Sequence, residues 1–181
     1  MSDEIKKWKV LGSEYLFRRP WLTVRRDRVE LPNGIVHPEY YVLEYPTWVN
    51  VIAITEEGQF VMVRQYRHGL GEVSTELCAG VAEKGEEPIE AARRELMEET
   101  GFGGGDWTLN MVISGNTSTT DNLTYSFIAR GVKKLSGQHL DATEDIQVLL
   151  MSEQEVYDLL LADEMKQSLM AAPLWKYFAL K

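Results

Sequence analysis

One stretch, Gly80 to Phe102, constrains this chain more than any other. It reads Gly80-Val81-Ala82-Glu83-Lys84-Gly85-Glu86-Glu87-Pro88-Ile89-Glu90-Ala91-Ala92-Arg93-Arg94-Glu95-Leu96-Met97-Glu98-Glu99-Thr100-Gly101-Phe102. Pro88 is tolerated at a first helical position, and the acidic Glu86-Glu87 pair before it suits the positive end of a helix dipole. Gly101 is a natural C-terminal cap. These signals predict a helix from about Glu87 to Thr100, entered from a glycine-bearing loop. At about 100° per residue, Glu99 lies about 40° from Glu95, and Glu98 about 60° to the other side. Three carboxylates therefore share one arc, beside an apolar stripe of Ile89, Ala92 and Leu96 that faces a core. Arg94 precedes Glu98 by one turn and can orient it through a charge-assisted hydrogen bond.

Like charges at these spacings repel, at about 0.2–0.5 kcal/mol per pair on an isolated helix. A hard divalent cation turns that repulsion into ligation. Mg²⁺ takes a few carboxylates and completes its shell with waters and phosphate oxygens. A pair of adjacent glutamates alone reads as a solvated surface helix. Here a longer pattern is filled: Gly80, five residues, Glu86, seven residues, Arg94-Glu95-Leu96, one residue, Glu98-Glu99, one residue, Gly101-Phe102.

That pattern resembles the Nudix box at every fixed position. The resemblance implies an α/β/α sandwich with a mixed sheet, and water attack on a phosphorus of a substituted nucleoside diphosphate. It also implies Glu95, Glu98 and Glu99 as metal-binding carboxylates for Mg²⁺ or Mn²⁺. Gly80, or the Ala79 carbonyl, would add a backbone ligand. Glu86, Arg94 and Gly101 would hold loop and helix in register.

The similarity extends beyond the box. Arg64-Gln65-Tyr66-Arg67 and Glu76-Leu77-Cys78-Ala79-Gly80 resemble elements of the ADP-ribose and nucleoside diphosphate sugar pyrophosphatases, with Cys78 where proline is usual. Relatives of that branch carry an N-terminal β-lobe, often exchanged across a homodimer. In this reading Arg67 and Arg64 contact substrate, with Arg67 a phosphate clamp at a strand end. A surface salt bridge is the alternative for Arg67. Glu76 either joins the site or faces solvent from its strand. A late acidic residue, from Asp141-Ala142-Thr143-Glu144-Asp145, would serve as base: Glu144 first, Asp141 second, with Glu95 as the in-helix alternative. The Ser114–Asn122 stretch is a polar loop without the proline-containing element of ADP-ribose enzymes. Its side chains suit a sugar or plain solvation.

Strand and turn signals complete the reading. The segments 14–17, 21–24 and 39–43 read as strands, with Pro32-Asn33-Gly34 turning a hairpin between Leu31 and Ile35. Pro46 closes this lobe, so residues 1–46 are expected as an N-terminal antiparallel β-lobe and 47–181 as the catalytic domain. Val49–Thr55 and Phe60–Arg64 form a core hairpin, and Ser74–Cys78 a strand leading into the box. Strands follow at 107–113, 123–129 and 146–151. Ser152 with Glu155 makes a capping box for a helix, and a further helix between Lys166 and Leu180 is expected to break near Pro173. The class is α/β, or α+β, with a mixed sheet.

Composition limits the partners. At 181 residues the net charge is −9 and the pI about 4.9, which argues against DNA and RNA. Cys78 stands alone, so neither an intrachain disulfide nor a cysteine zinc site can form. Met1–Lys7 is polar, without the apolar centre of a signal peptide, and no apolar run has membrane-spanning length. A cytoplasmic, homodimeric enzyme acting on a small nucleotide sugar is the leading expectation. His37, His68 and His139 lack ligand spacing. Trp21, Tyr40, Tyr41 and Trp48 read as core or interface residues. Other capped diphosphates, namely dinucleoside polyphosphates, coenzyme A species, nucleoside triphosphates or capped RNA, and a non-catalytic nucleotide-sugar-binding module, are the alternatives.

Overall fold

The computed structural model describes residues 5–181, so the first four residues of the polar segment Met1–Lys7 lie outside the described residues. The chain divides into two compact units. One comprises the described residues up to Tyr45 together with Asn116–Asn122; the other comprises Pro46–Gly115 and Leu123–Lys181.

The first unit is a three-stranded antiparallel sheet of β1 (Lys9–Arg19), β2 (Leu22–Glu30) and β3 (Val36–Glu44). The turn between β2 and β3 closes through Gly34 N to Leu31 O at 2.9 Å, and Gly34 takes a φ of +83° that an L side chain would resist. The Asn116–Asn122 segment joins this sheet. Leu43 N donates to Thr119 O at 2.6 Å, Asp121 N to Leu43 O at 3.3 Å, and Tyr45 N to the Asp121 carboxylate at 3.1 Å. The polar stretch is therefore held along β3 by its backbone instead of projecting as a free loop. Within β1–β3 only Asp27 and Val29 are buried, and Tyr15, Phe17 and Tyr41 are exposed. Trp21, expected in a core or an interface, is 84% exposed in the single chain.

The second unit is built on a mixed sheet in the order β10 (Ile146–Met151), β5 (Phe60–Arg67), β6 (Glu72–Val81), β4 (Trp48–Thr55), β9 (Thr124–Lys134). β7 (Phe102–Gly103) and β8 (Asp106–Ile113) both pair with β9. Only β4 and β9 run parallel. Alternation along β4 sends Val49, Val51 and Ala53 to one face and Ile52 and Ile54 to the other. The first set packs with Ala91, Ala92 and Leu96 of α1 (Pro88–Thr100). The second packs with Val156 and Leu160 of α2 (Glu153–Leu161) and Leu174 and Tyr177 of α3 (Ser168–Ala179). The layers are helix, sheet, helix.

The helix ends follow their sequence signals. α1 starts with Pro88 and ends at Gly101, whose φ is +69° and whose N–H bonds Met97 O at 2.8 Å. Ser152 and Glu155 form a reciprocal capping box on α2. α3 departs from expectation, because it runs unbroken through Pro173. Proline removes the N–H that would satisfy Leu169 O, and Asn50 Nδ2 supplies the missing donor at 2.8 Å. No helix among the described residues is long and apolar enough to cross a membrane.

Candidate active site

The site begins where the central sheet splits. β6 pairs with β5 as far as Leu77, opposite Met62, and with β4 from Cys78 to Val81. Over Ala79–Val81, β6 therefore has a strand on one side only. Successive residues of an antiparallel strand turn their backbone groups to alternate sides. Ala82 N bonds Thr47 O on the β4 side at 2.9 Å, so Ala79 and Val81 present theirs to the open edge. α1 fills that edge with carboxylates: Ala79 N donates to Glu99 Oε2 at 3.2 Å and Val81 N to Glu95 Oε1 at 3.3 Å. The Ala79 carbonyl points to the same side by the same alternation.

Gly80 lies between these contacts. A Cβ placed on it would stand 2.0 Å from the Glu95 carboxyl carbon. Only glycine lets the strand approach the helix this closely. Arg94 then locks loop to helix. Its Nε and Nη2 donate to Glu86 at 3.1 and 3.0 Å, its Nη2 to Val81 O at 2.9 Å, and its Nη1 to Glu95 and Glu98 at 2.8 and 3.0 Å. Glu86 also accepts from Glu83 N at 2.9 Å, which closes the Gly85 turn. The hydrogen bonds from Arg94 and Glu83 N hold the Glu86 carboxyl below its ordinary range.

The carboxylates differ in environment. Glu99 is 4% exposed, and burial pushes its carboxyl up to about 7; Cys78 and Ala79 N oppose the shift, while the charges of Glu95 and Glu144 add to it. Burial also raises Glu95, against the pull of Arg94. Glu98 is more open and bonds Arg94. Cys78 is buried beneath Glu99, and desolvation raises its thiol well above the usual value. Such a thiol is inert as a nucleophile.

Glu76 does not face solvent. It is 2% exposed and receives Arg67 Nε at 3.0 and 3.1 Å and Arg67 Nη2 at 2.5 Å. The guanidinium is held protonated by this pair, with Glu99 contributing. A buried carboxylate thus fixes Arg67 with its stem at a strand end and the side chain still 38% exposed. Arg64 is not brought to this cluster. Alternation places it with Met62, on the sheet face that packs against α2 and α3, and it is exposed. Glu144 lies on an exposed loop, where its carboxylate accepts from Asp141 N at 2.9 Å. Its charge is felt at Glu99 and Cys78. Asp141, by contrast, offers Glu144 its backbone. Gln138, absent from the sequence reading, ties the C-terminal end of α1 to β10 by donating to Glu99 O at 2.7 Å and Ile146 O at 3.0 Å.

Among the described residues no three His, Cys, Asp or Glu side chains converge closely enough to hold a metal as they stand. The donor chemistry nevertheless fits a hard divalent cation: carboxylate oxygens and a strand-edge carbonyl, with the one neighbouring sulfur, Cys78, buried beneath Glu99 as a thiol whose deprotonation burial disfavours. The missing side chain at Gly80 is what leaves room for the Glu95 carboxylate against the strand. A cleft of about 220 Å³ adjoins the edge, lined by Trp48, Asn50, Arg67, Gly80, Thr124 and Leu169 among others. A polar residue inside the apolar run Val49-Asn50-Val51-Ile52 was the available signal for Asn50.

Comparison with known proteins identifies the family and the fold. Residues 8–43 match the model of the nucleoside diphosphate sugar hydrolase N-terminal domain, and residues 44–172 that of the NUDIX domain. The chain is 32% identical over 160 residues to an ADP-ribose pyrophosphatase of Bacillus subtilis (strain 168), covering 83% of this chain and 86% of that protein. It is 35% identical over 144 residues to a methanol dehydrogenase activator of Bacillus methanolicus, covering 78% and 76%. A crystal structure of an ADP compounds hydrolase superposes with a TM-score of 0.86 at 24% identity, covering 99% of this chain and 96% of that one.

Proposed function

The chain belongs to the NUDIX family, as a nucleoside diphosphate sugar hydrolase type, and from that premise we propose that it hydrolyses the pyrophosphate bond of nucleoside diphosphate sugars, ADP-ribose among them. The products are a nucleoside monophosphate and a sugar phosphate. The observation that carries this reading is the open edge of β6, where Gly80 admits Glu95 against the strand and Glu99 is buried beside it.

Glu95, Glu98 and Glu99, with the Ala79 carbonyl, would hold Mg²⁺ or Mn²⁺; the Gly80 carbonyl, expected as an alternative ligand, turns to β4 instead. When bound, the ion polarises a phosphoryl oxygen and lowers the pKa of a coordinated water. Arg94 keeps Glu95 and Glu98 in place, and Glu86 keeps Arg94 in place. Arg67, braced by Glu76, offers the solvent-facing part of its guanidinium to a phosphate oxygen. Water oxygen bonds to one phosphorus, the bridging P–O bond breaks, and the bridging oxygen leaves with the other phosphate. Glu144 takes the proton from the attacking water at its carboxylate, after releasing Asp141 N.

The N-terminal sheet buries little of its own surface and exposes Tyr15, Phe17 and Tyr41, which supports a homodimer in which a second copy covers it. A single, unpaired cysteine accords with a cytoplasmic enzyme. The test is a panel of nucleoside diphosphate sugars with Mg²⁺ or Mn²⁺, read as nucleoside monophosphate released. Turnover of none of them overturns the reading, and pyrophosphate as product would assign a triphosphate substrate instead.

A further inference from the structure

Three polar side-chain atoms are buried in the second unit without a hydrogen-bond partner among the described residues: Asn50 Oδ1, Thr124 Oγ1 and Ser126 Oγ. The strand register groups them. Asn50 lies opposite Ser126 and Trp48 opposite Thr124 across the β4–β9 pair, and Asn50 opposite Ala79 across β4–β6. A buried hydroxyl or amide oxygen left unpaired lowers stability, so its retention asks for a partner.

Asn50 and Thr124, 1% and 2% exposed, line the cleft beside Gly80, whereas Ser126 does not. The orientation of the Asn50 amide is fixed by chemistry. Its Nδ2 must face Leu169 O, which lacks a helical donor because Pro173 has no N–H. Asn50 therefore presents a pure acceptor, and Thr124 a hydroxyl that donates or accepts. Trp48, Leu169 and Met170 supply apolar walls. At about 220 Å³, the cleft is smaller than the roughly 300–1,000 Å³ that holds a drug-sized ligand, so it suits one ring. It shares Gly80 and Arg67 with the catalytic edge, which places its occupant next to the diphosphate. A nucleobase stands one ribose further away.

We propose that this cleft is a sugar subsite. It takes the hydroxyl-bearing ring esterified directly to the scissile diphosphate, with Asn50 Oδ1 accepting from one hydroxyl and Thr124 Oγ1 pairing with another. The inference rests on the pyrophosphatase reading above. Both halves of a nucleoside diphosphate sugar carry such a ring, and singly deoxygenated analogues tell the two apart.

The test is calorimetric binding in EDTA, where hydrolysis does not interfere. ADP-glucose, its analogues deoxygenated on the glucose, and 2′-deoxy-ADP-glucose are titrated into wild type, Thr124→Val and Ser126→Ala. One neutral hydrogen bond corresponds to about a tenfold change in Kd. Thr124→Val should bind ADP-glucose about tenfold more weakly and lose the wild type's discrimination against one deoxy analogue. Its Tm should hold or rise, because an unpaired buried hydroxyl has gone. Ser126→Ala should bind as wild type does. Loss of discrimination on the glucose analogues assigns the terminal sugar; loss on the 2′-deoxy compound assigns the nucleoside ribose. If Thr124→Val binds every compound within twofold of wild type, while wild type still cleaves ADP-glucose, the subsite is overturned and the pyrophosphatase reading stands. A wild type that neither binds nor cleaves any of these compounds overturns both.

Discussion

A Cβ on Gly80 would fall 2.0 Å from the carboxyl carbon of Glu95. Strand and helix therefore meet at a distance that only glycine allows, and the carboxylate is aimed by the backbone it touches. Gly80→Ala must push Glu95 off this edge. Displacement of a reacting group by about 1 Å can cost about 100-fold in rate. The variant should lose at least that much in kcat/KM while circular dichroism and Tm show a folded protein. Near-wild-type turnover would remove Glu95 from the chemistry.

Arg94 donates to Glu86, Glu95, Glu98 and Val81 O through one planar fork. A lysine ammonium cannot reproduce five bonds from a fixed plane. Arg94→Lys should cost about 2 kcal/mol of stability in chemical denaturation and lower kcat more than it raises KM.

The Glu86 pair links stability to pH. Its folded pKa is depressed, so its contribution is present above the unfolded value of about 4.3 and is lost as pH falls through the folded value. Glu86→Gln should be less stable than wild type at neutral pH. The gap should narrow as pH drops below about 4. A gap that stays constant to pH 3, within error, would contradict the assignment.

Glu99 is buried beside the charges of Glu95 and Glu144. Without a cation this is an unfavourable arrangement, and with one it becomes a ligand set. Glu99→Gln should raise the Tm of the metal-free protein and abolish the Tm increase that Mg²⁺ or Mn²⁺ gives wild type. Differential scanning fluorimetry with and without EDTA reads both effects.

The N-terminal sheet gives the prediction for assembly. Phe17 and Trp21 are 56% and 84% exposed in the single chain, and the proposed homodimer would cover them. Sedimentation should give twice the chain mass of 20.7 kDa, with Phe17→Asp shifting the protein to monomer.

The legible parts of this molecule were local. Pro88 and Gly101 bounded α1, Asn33-Gly34 turned its hairpin, and Ser152 with Glu155 capped α2, because each signal acts within one turn of chain. The box glutamates were visible for the same reason. What sequence could not supply were pairings across the sheet. On sequence alone Glu76 either faces solvent or joins the site; it is buried, with Arg67, nine residues away, folded onto it. Pro173 predicts a break in α3, and the helix continues with Asn50, from a different layer, satisfying Leu169 O. The Ser114–Asn122 stretch is the loop its composition predicts, and what the sequence does not show is that backbone bonds at Thr119 and Asp121 tie it to Leu43. Arg64 shared a short motif with Arg67, and the two-residue period of a strand sends them to opposite faces.

In the proposed reaction, carboxylates on the open edge of β6 direct water onto phosphorus. Hydrolysis of ADP-ribose in ¹⁸O-labelled water with Mg²⁺, followed by mass spectrometry of both products, measures this directly. The expected products are AMP and a sugar phosphate, one ¹⁸O carried on a phosphate per cleavage, with no product in EDTA or with Glu99→Gln. Label on a sugar carbon, or undiminished turnover by Glu99→Gln, would contradict it.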